Sequence, residues 1–170
     1  MREIVIYPDP VLRKKAREVK SIDDRVARLA AEMAETMYAA PGIGLAAPQV
    51  GVSERVILVD VTGPERKELI TLVNPVIVEK EGTVIFEEGC LSLPEVREKV
   101  ERAARVLVRG YDLDEREREI EAEGLLAIAL QHEIDHLNGV LFIDYLSRLK
   151  RDMIERKFRK WKREILKERL

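Results

Sequence analysis

Residues 124–139, GLLAIALQHEIDHLNG, restrict what this chain can fold into more than any other stretch. Glycines bound the segment, and its first two turns are apolar on every side. The spacing therefore predicts a helix that belongs in the middle of the protein, with the remaining chain wrapped around it. The same helix carries both histidines of the 170 residues, His132 and His136, with Glu133 beside the first. Positions i and i+4 stack on one helical face, so both imidazoles can reach one ion. Glu133 lies about 100° round the axis, near enough to hold a water bound to that ion. This HEXXH pattern supplies two ligands and a general base from a turn and a half of helix.

Most of what surrounds the helix reads as strand. Before the strands, Ile22, Val26, Leu29, Met33, Met37 and Ala40 recur at steps of three and four, a helical stripe with Ser21 as its expected cap. Pro41-Gly42 ends it. RVILVDV (55–61) and TLVNPVIV (71–78) follow, with Pro75 marking an edge or a bulge. RVLVRGYDL (105–113) and REREIEAE (116–123) form a predicted hairpin around Asp114-Glu115. Strands that adjoin without intervening helices favour antiparallel pairing. The expected class is thus α+β: antiparallel or mixed sheets packed around a central HEXXH helix, with a long C-terminal amphipathic helix over 146–170. In that last helix Leu146, Leu149, Met153, Phe158, Trp161 and Ile165 fall along one face. No repeat or low-complexity linker interrupts the chain, so residues 1–170 are expected to be a single catalytic domain.

Composition narrows the setting. No stretch reaches the roughly 18 apolar residues of a membrane span, and Pro8 and Pro10 break the opening residues as a secretory signal. A cytoplasmic protein, with no membrane and no specific DNA partner, is expected. The lone cysteine, Cys90, excludes an internal disulfide. Charged residues reach 36% while Asn and Gln number only four, a thermophile-like balance. Where amides are so rare, Gln49 and Gln131 invite an explanation.

A catalytic site of the zinc type needs three protein ligands and an open position. The metzincin pattern would put a third histidine where Phe142 stands, so that reading fails. An acid on a later helix is a second possibility, and Glu155 is the best candidate; it would make the chain a metallopeptidase. Cys90, in FEEGCLSLPE (86–95), is the upstream possibility, since a thiolate is a strong soft ligand. There Gly89 lets the backbone bend towards the ion, and Pro94 ends what reads as an extended loop. PGIGLAAPQVG (41–51) formally matches a dinucleotide fingerprint, but its glycines follow a helix where a strand is required. Its alternative use is open backbone for a peptide to pair with, while Gln49 points an amide at a reacting carbonyl.

Taken together, GIGLAAPQ, EGCLS and QHEIDH, in this order and spacing, resemble the peptide deformylase family over essentially the whole chain. The resemblance implies removal of the formyl group from the N-terminal formylmethionine of nascent polypeptides. It implies Cys90, His132 and His136 as metal ligands and Glu133 as the base acting on a metal-bound water. Gln49 and the Leu91 backbone N–H would form the oxyanion site, and Ile43, Gly44 and Gly89 would bind substrate. The implied ion is ferrous iron, with zinc or nickel as substitutes.

Helix periodicity adds a pocket. Leu125, Ile128 and Ala129 share a face with His132, one and two turns before it, and are expected to wall an apolar site for a methionine side chain. Glu88 and Arg102 read as a pair that orients the loop or a ligand. From Arg148 to Leu170 there are 11 Lys and Arg against 4 acids, whereas the whole chain carries a net charge of −2. That segregation predicts weak, salt-sensitive ribosome contact through the C-terminal helix. A third reading makes the chain a ribosome- or RNA-binding module with a purely structural metal.

Overall fold

The computed structural model describes residues 1–168; Arg169 and Leu170, the end of the expected 146–170 helix, lie outside the described residues. The fold is α+β. Helix α1 (Asp24–Ala39) is followed by strands β1 (Gly44–Ala46), β2 (Val56–Val59), β3 (Ile70–Glu81), β4 (Val84–Cys90), β5 (Leu93–Arg102), β6 (Arg105–Tyr111) and β7 (Glu117–Glu123). Helices α2 (Gly124–Leu137) and α3 (Arg148–Glu168) complete it. Five strands pair antiparallel in the order β1-β2-β3-β6-β7, and β4 pairs with β5 in a separate two-stranded sheet.

Strand β2 explains the layering. Its four residues, VILV, are all buried, as expected of a strand covered on both faces. Ile57 and Val59 pack with Ala127, Leu130 and Leu137 of α2. Val56 and Leu58 point the other way, into Val26, Leu29, Met33 and Met37 of α1. A third cluster, with Leu93, Val96 and Val100 of β5 beside Phe142 and Phe158, lies under the β4–β5 hairpin. Helix α2 is therefore central: Ala127 to Glu133 are all buried.

Local chemistry sets the details. Pro75 sits at a break in register between Val73 and Val76 of β3, an inner strand of the sheet, so it marks a bulge and not an edge. Helix α1 is capped by Asp23, which accepts from the Val26 N–H; the expected cap at Ser21 is two residues early. Gln131 explains itself structurally. It holds both backbone groups of Ala103 and tethers α2 to the β5–β6 connection.

Two expectations are corrected. Residues 86–95 are not an extended loop: Cys90 ends β4, and Pro94 lies inside β5. With only two strands in this sheet, β5 keeps an unpaired side, where a missing N–H costs nothing. In α3, Phe158 is buried and Ile154 packs beside it, but Leu149, Met153 and Trp161 are exposed, and Leu146 precedes the helix. The amphipathic stripe is thus only partly an inward face, because the core beneath α3 is no larger than the Tyr7–Leu12–Phe142 cluster. Among the described residues no helix is long and apolar enough to cross a membrane.

Candidate active site

The imidazoles of His132 and His136 stand with ring centroids 5.0 Å apart on one face of α2. The β4–β5 hairpin brings Cys90 to them, with its Sγ 3.4 Å from His136 Nε2. Donor atoms of Cys90, His132 and His136 all lie within 4.8 Å of one another. One sulfur and two imidazole nitrogens at this separation suit a borderline-soft divalent ion, and three protein ligands leave a position open. Glu155 is not part of this group. It pairs with Arg159 one turn along α3, which removes the metallopeptidase reading.

His132 is held from behind. Its Nδ1 bonds Glu88 Oε1 at 2.9 Å, which turns the other ring nitrogen to the cluster. Arg102 donates to both Glu88 oxygens at 2.8 Å, and its Nη1 reaches Asp135 at 2.6 Å. Burial alone would raise the Glu88 pKa; hydrogen bonds from Arg102 and His132 outweigh it and hold the group below the usual carboxylate range. Burial, then the positive charge of His132 and Arg102, keeps His136 well below the ordinary imidazole value. His132 is pulled down by burial, but Glu133, Cys90 and Glu88 outweigh that and hold it well above.

Glu133 has a different environment. Its Oε1 has no hydrogen-bond partner among the described residues. Burial pushes its pKa up to about 7, with the charge of Glu88 adding to the effect and His132 opposing it. The space beside Glu133 is set by Gly44, where an added Cβ would stand 2.5 Å from Glu133 Oε2. A glycine is required there by close approach and not by backbone conformation.

Gln49 is fixed at both ends. Its Oε1 accepts the Ala46 N–H at 2.9 Å, which aims Nε2 at Ser92 Oγ (3.2 Å) and Cys90 Sγ (3.5 Å). Leu91 follows Cys90 in the hairpin turn and packs against Gly42. Gln49, Cys90, Leu91, His132 and Glu133 open onto a cavity of about 740 Å³ that also includes Ile43, Gly44, Gly89, Leu125, Ile128 and Ala129. Ile4, Ile6, Phe86 and Arg97 also line this cavity, and no sequence motif marks them. Nor does any motif assign a role to Asp135 and Tyr145. Asp135 bonds Arg102, and Tyr145 bonds Asp135 at 2.7 Å.

A central HEXXH helix, a thiol from a neighbouring hairpin and an apolar cavity define a hydrolase of the metalloenzyme class. Comparison with known proteins narrows that class. The family profile described as Polypeptide deformylase matches residues 1–152. The peptide deformylase of Rhizobium meliloti (strain 1021) is 52% identical over 162 residues, covering 94% of this chain and 93% of its own. That of Syntrophobacter fumaroxidans is 54% identical over 159 residues, covering 93% and 94%. The crystal structure of a peptide deformylase from Legionella pneumophila superposes with a TM-score of 0.91 at 49% identity, covering 98% of both chains. One from Synechococcus elongatus, in complex with actinonin, gives 0.86 at 42% identity, covering 92% and 86%. The chain belongs to the polypeptide deformylase family.

Proposed function

We infer that the chain is a metal-dependent hydrolase that removes the N-formyl group from nascent peptides, and that the residues assembled around Cys90 carry the reaction. The single observation that supports this is the convergence of Cys90, His132 and His136 beside a buried, partly unpartnered Glu133 at the floor of an apolar cavity. Cys90, His132 and His136 would hold one divalent ion, natively ferrous iron, with zinc or nickel as replacements. Such an ion, when bound, lowers the pKa of water and polarises a carbonyl.

The remaining work falls to the chain's own groups. Glu133, with a pKa near 7, takes the proton of the attacking water at its carboxylate and returns it to the leaving amine. As negative charge builds on the formyl oxygen, Gln49 Nε2 and the Leu91 N–H donate to it. One preorganised donor of this kind is worth about 3–4 kcal/mol. The products are formate and a free N-terminus. Leu125, Ile128 and Ala129 take the methionine side chain and keep water out, while Ile43, Gly44 and Gly89 align the peptide backbone. Glu88 and Arg102 hold the His132 ring. Residues 1–170 act as one catalytic domain in the cytoplasm. The basic helix α3, with Leu149, Met153 and Trp161 exposed on it, gives weak, salt-sensitive contact with the ribosome.

The test is formate release from formyl-Met-Ala, measured without oxygen on iron-loaded wild type and Glu133→Ala. Release by the wild type and its loss in the variant are expected. No release by a loaded wild type overturns the reading.

A further inference from the structure

His132 is one end of a chain of contacts that does not stop at Arg102. A bidentate Arg102–Glu88 pair can pivot as a unit about the His132 hydrogen bond; a third contact is needed to fix its direction. Arg102 Nη1 makes that contact with Asp135 Oδ2 at 2.6 Å. Asp135 is a weak anchor by itself, because its side chain is 21% exposed against 3% for Arg102, so water competes for it. What occupies the competing position is the hydroxyl of Tyr145, which donates to the same Oδ2 at 2.7 Å. The Tyr145 ring also lies against the guanidinium, with Arg102 Cζ 4.8 Å from the ring centroid. One side chain thus grips both partners of the outer ion pair.

The placement of Tyr145 is itself fixed. It ends the 3-10 turn Phe142–Tyr145. The first residue of that turn stacks on the imidazole of His132, centroids 6.0 Å apart at 27°. Asp144 of the same turn accepts the Leu141 N–H at 3.0 Å and is clamped by Arg13 at 2.7 and 3.0 Å. A four-residue turn therefore holds His132 twice: through the ring of Phe142 directly, and through Tyr145, Asp135, Arg102 and Glu88.

We propose that Tyr145, a half-exposed tyrosine outside the substrate cavity, is a positioning residue for His132, and through it for the metal. The proposal rests on His132 being a ligand. Removing a hydrogen-bond partner of a metal-bound histidine costs about 10–100-fold in metal affinity, and the Tyr145 hydroxyl acts three contacts further out, so about three- to tenfold is expected from it.

The experiment loads the full chain with Co²⁺ and follows its loss to a chelator, together with the visible spectrum of the bound ion and the melting temperature of the metal-free protein. In Tyr145→Phe the ring stays and the hydroxyl goes. Cobalt should leave about three- to tenfold faster and the spectrum should shift, with the metal-free melting temperature falling by no more than about 2–4 °C, as for the loss of one half-exposed hydrogen bond. Tyr145→Leu, which also loses the ring face, should show a larger acceleration. Tyr145→Phe combined with Asp135→Asn should be no worse than Asp135→Asn alone, since both break one path. Wild-type cobalt loss in Tyr145→Phe, or full additivity in the double variant, overturns the proposal. His132→Ala separates the two levels. If it retains cobalt like wild type, the ligand set itself is wrong; if it loses cobalt while Tyr145→Phe does not, only the positioning role fails.

Discussion

Glu88 and Glu133 both stand against His132, and both are 4% exposed. Their surroundings push them in opposite directions. Both Glu88 oxygens are bonded, to Arg102 and His132, and the group is held below the ordinary carboxylate range. Glu133 keeps an oxygen without a partner among the described residues, and burial lifts it to about 7. Depth alone therefore does not decide what a carboxylate does. A fully bonded one is suited to holding a neighbour in place, and one left with a free oxygen is suited to taking up a proton.

Substituting each of the two is the most direct way to break that contrast. Glu133→Ala should lower kcat/KM by about 10³–10⁴-fold, at the upper end for a general acid–base group, with metal content unchanged. Metal content by atomic spectroscopy beside the kinetics checks this; parallel loss of metal would make Glu133 a fixture too. Glu88→Gln should do the reverse. It leaves the buried Arg102 charge partly uncompensated, at a cost of about 3–5 kcal/mol by chemical denaturation, and weakens metal retention by about 10–100-fold. Unchanged stability in that variant would mean that the pair does not hold the ligand.

Gly44→Ala sharpens the comparison by moving the Glu133 carboxylate without altering it. An added Cβ at 2.5 Å from Glu133 Oε2 must displace it, and a displacement of about 1 Å can cost roughly 10²-fold in rate. Metal retention should stay at the wild-type level.

Asp60 is a second carboxylate of the bonded kind. Burial would raise its pKa, but bonds from Thr62 and from the Tyr38 hydroxyl, 2.5 Å away, hold it below the usual range. Its stabilisation is present above the unfolded carboxylate pKa near 3.9 and is lost as pH falls through the lower folded value. Tyr38, pushed up to about 12 by burial and by Asp60, loses its own share as pH rises from about 10 to 12. Tyr38→Phe should cost about 1.5–2 kcal/mol near neutrality and flatten the melting-temperature profile at both extremes.

Much of this was legible in the sequence because the signals were local. The i, i+4 histidines, the 105–123 hairpin and the α1 stripe depend only on neighbours within a turn or a strand. The β4–β5 hairpin is not legible in this way, since Glu87, Glu95 and Lys99 obscure it and Pro94 reads as a terminator. The alternation of Val96, Glu98, Val100 and Arg102 was the available signal, and it ends on a buried arginine where an apolar residue would be expected. The exposure of Leu149 and Met153 depends on how much core lies beneath α3, which no helical periodicity contains. The partnership of Tyr145 with Asp135 and Arg102 joins Arg102 to residues 33 and 43 positions further along the chain, and nothing local points to it.

One consequence follows from where the three sulfur and nitrogen donors originate. Cys90 comes from the hairpin and His136 from the buried helix, 46 positions away. An ion shared between them closes that long stretch much as a covalent cross-link would, by shrinking the set of shapes open to the unfolded chain. In the loaded protein the atoms that would perform the chemistry would also be a clasp between two layers, so durability and catalytic competence would be lost together.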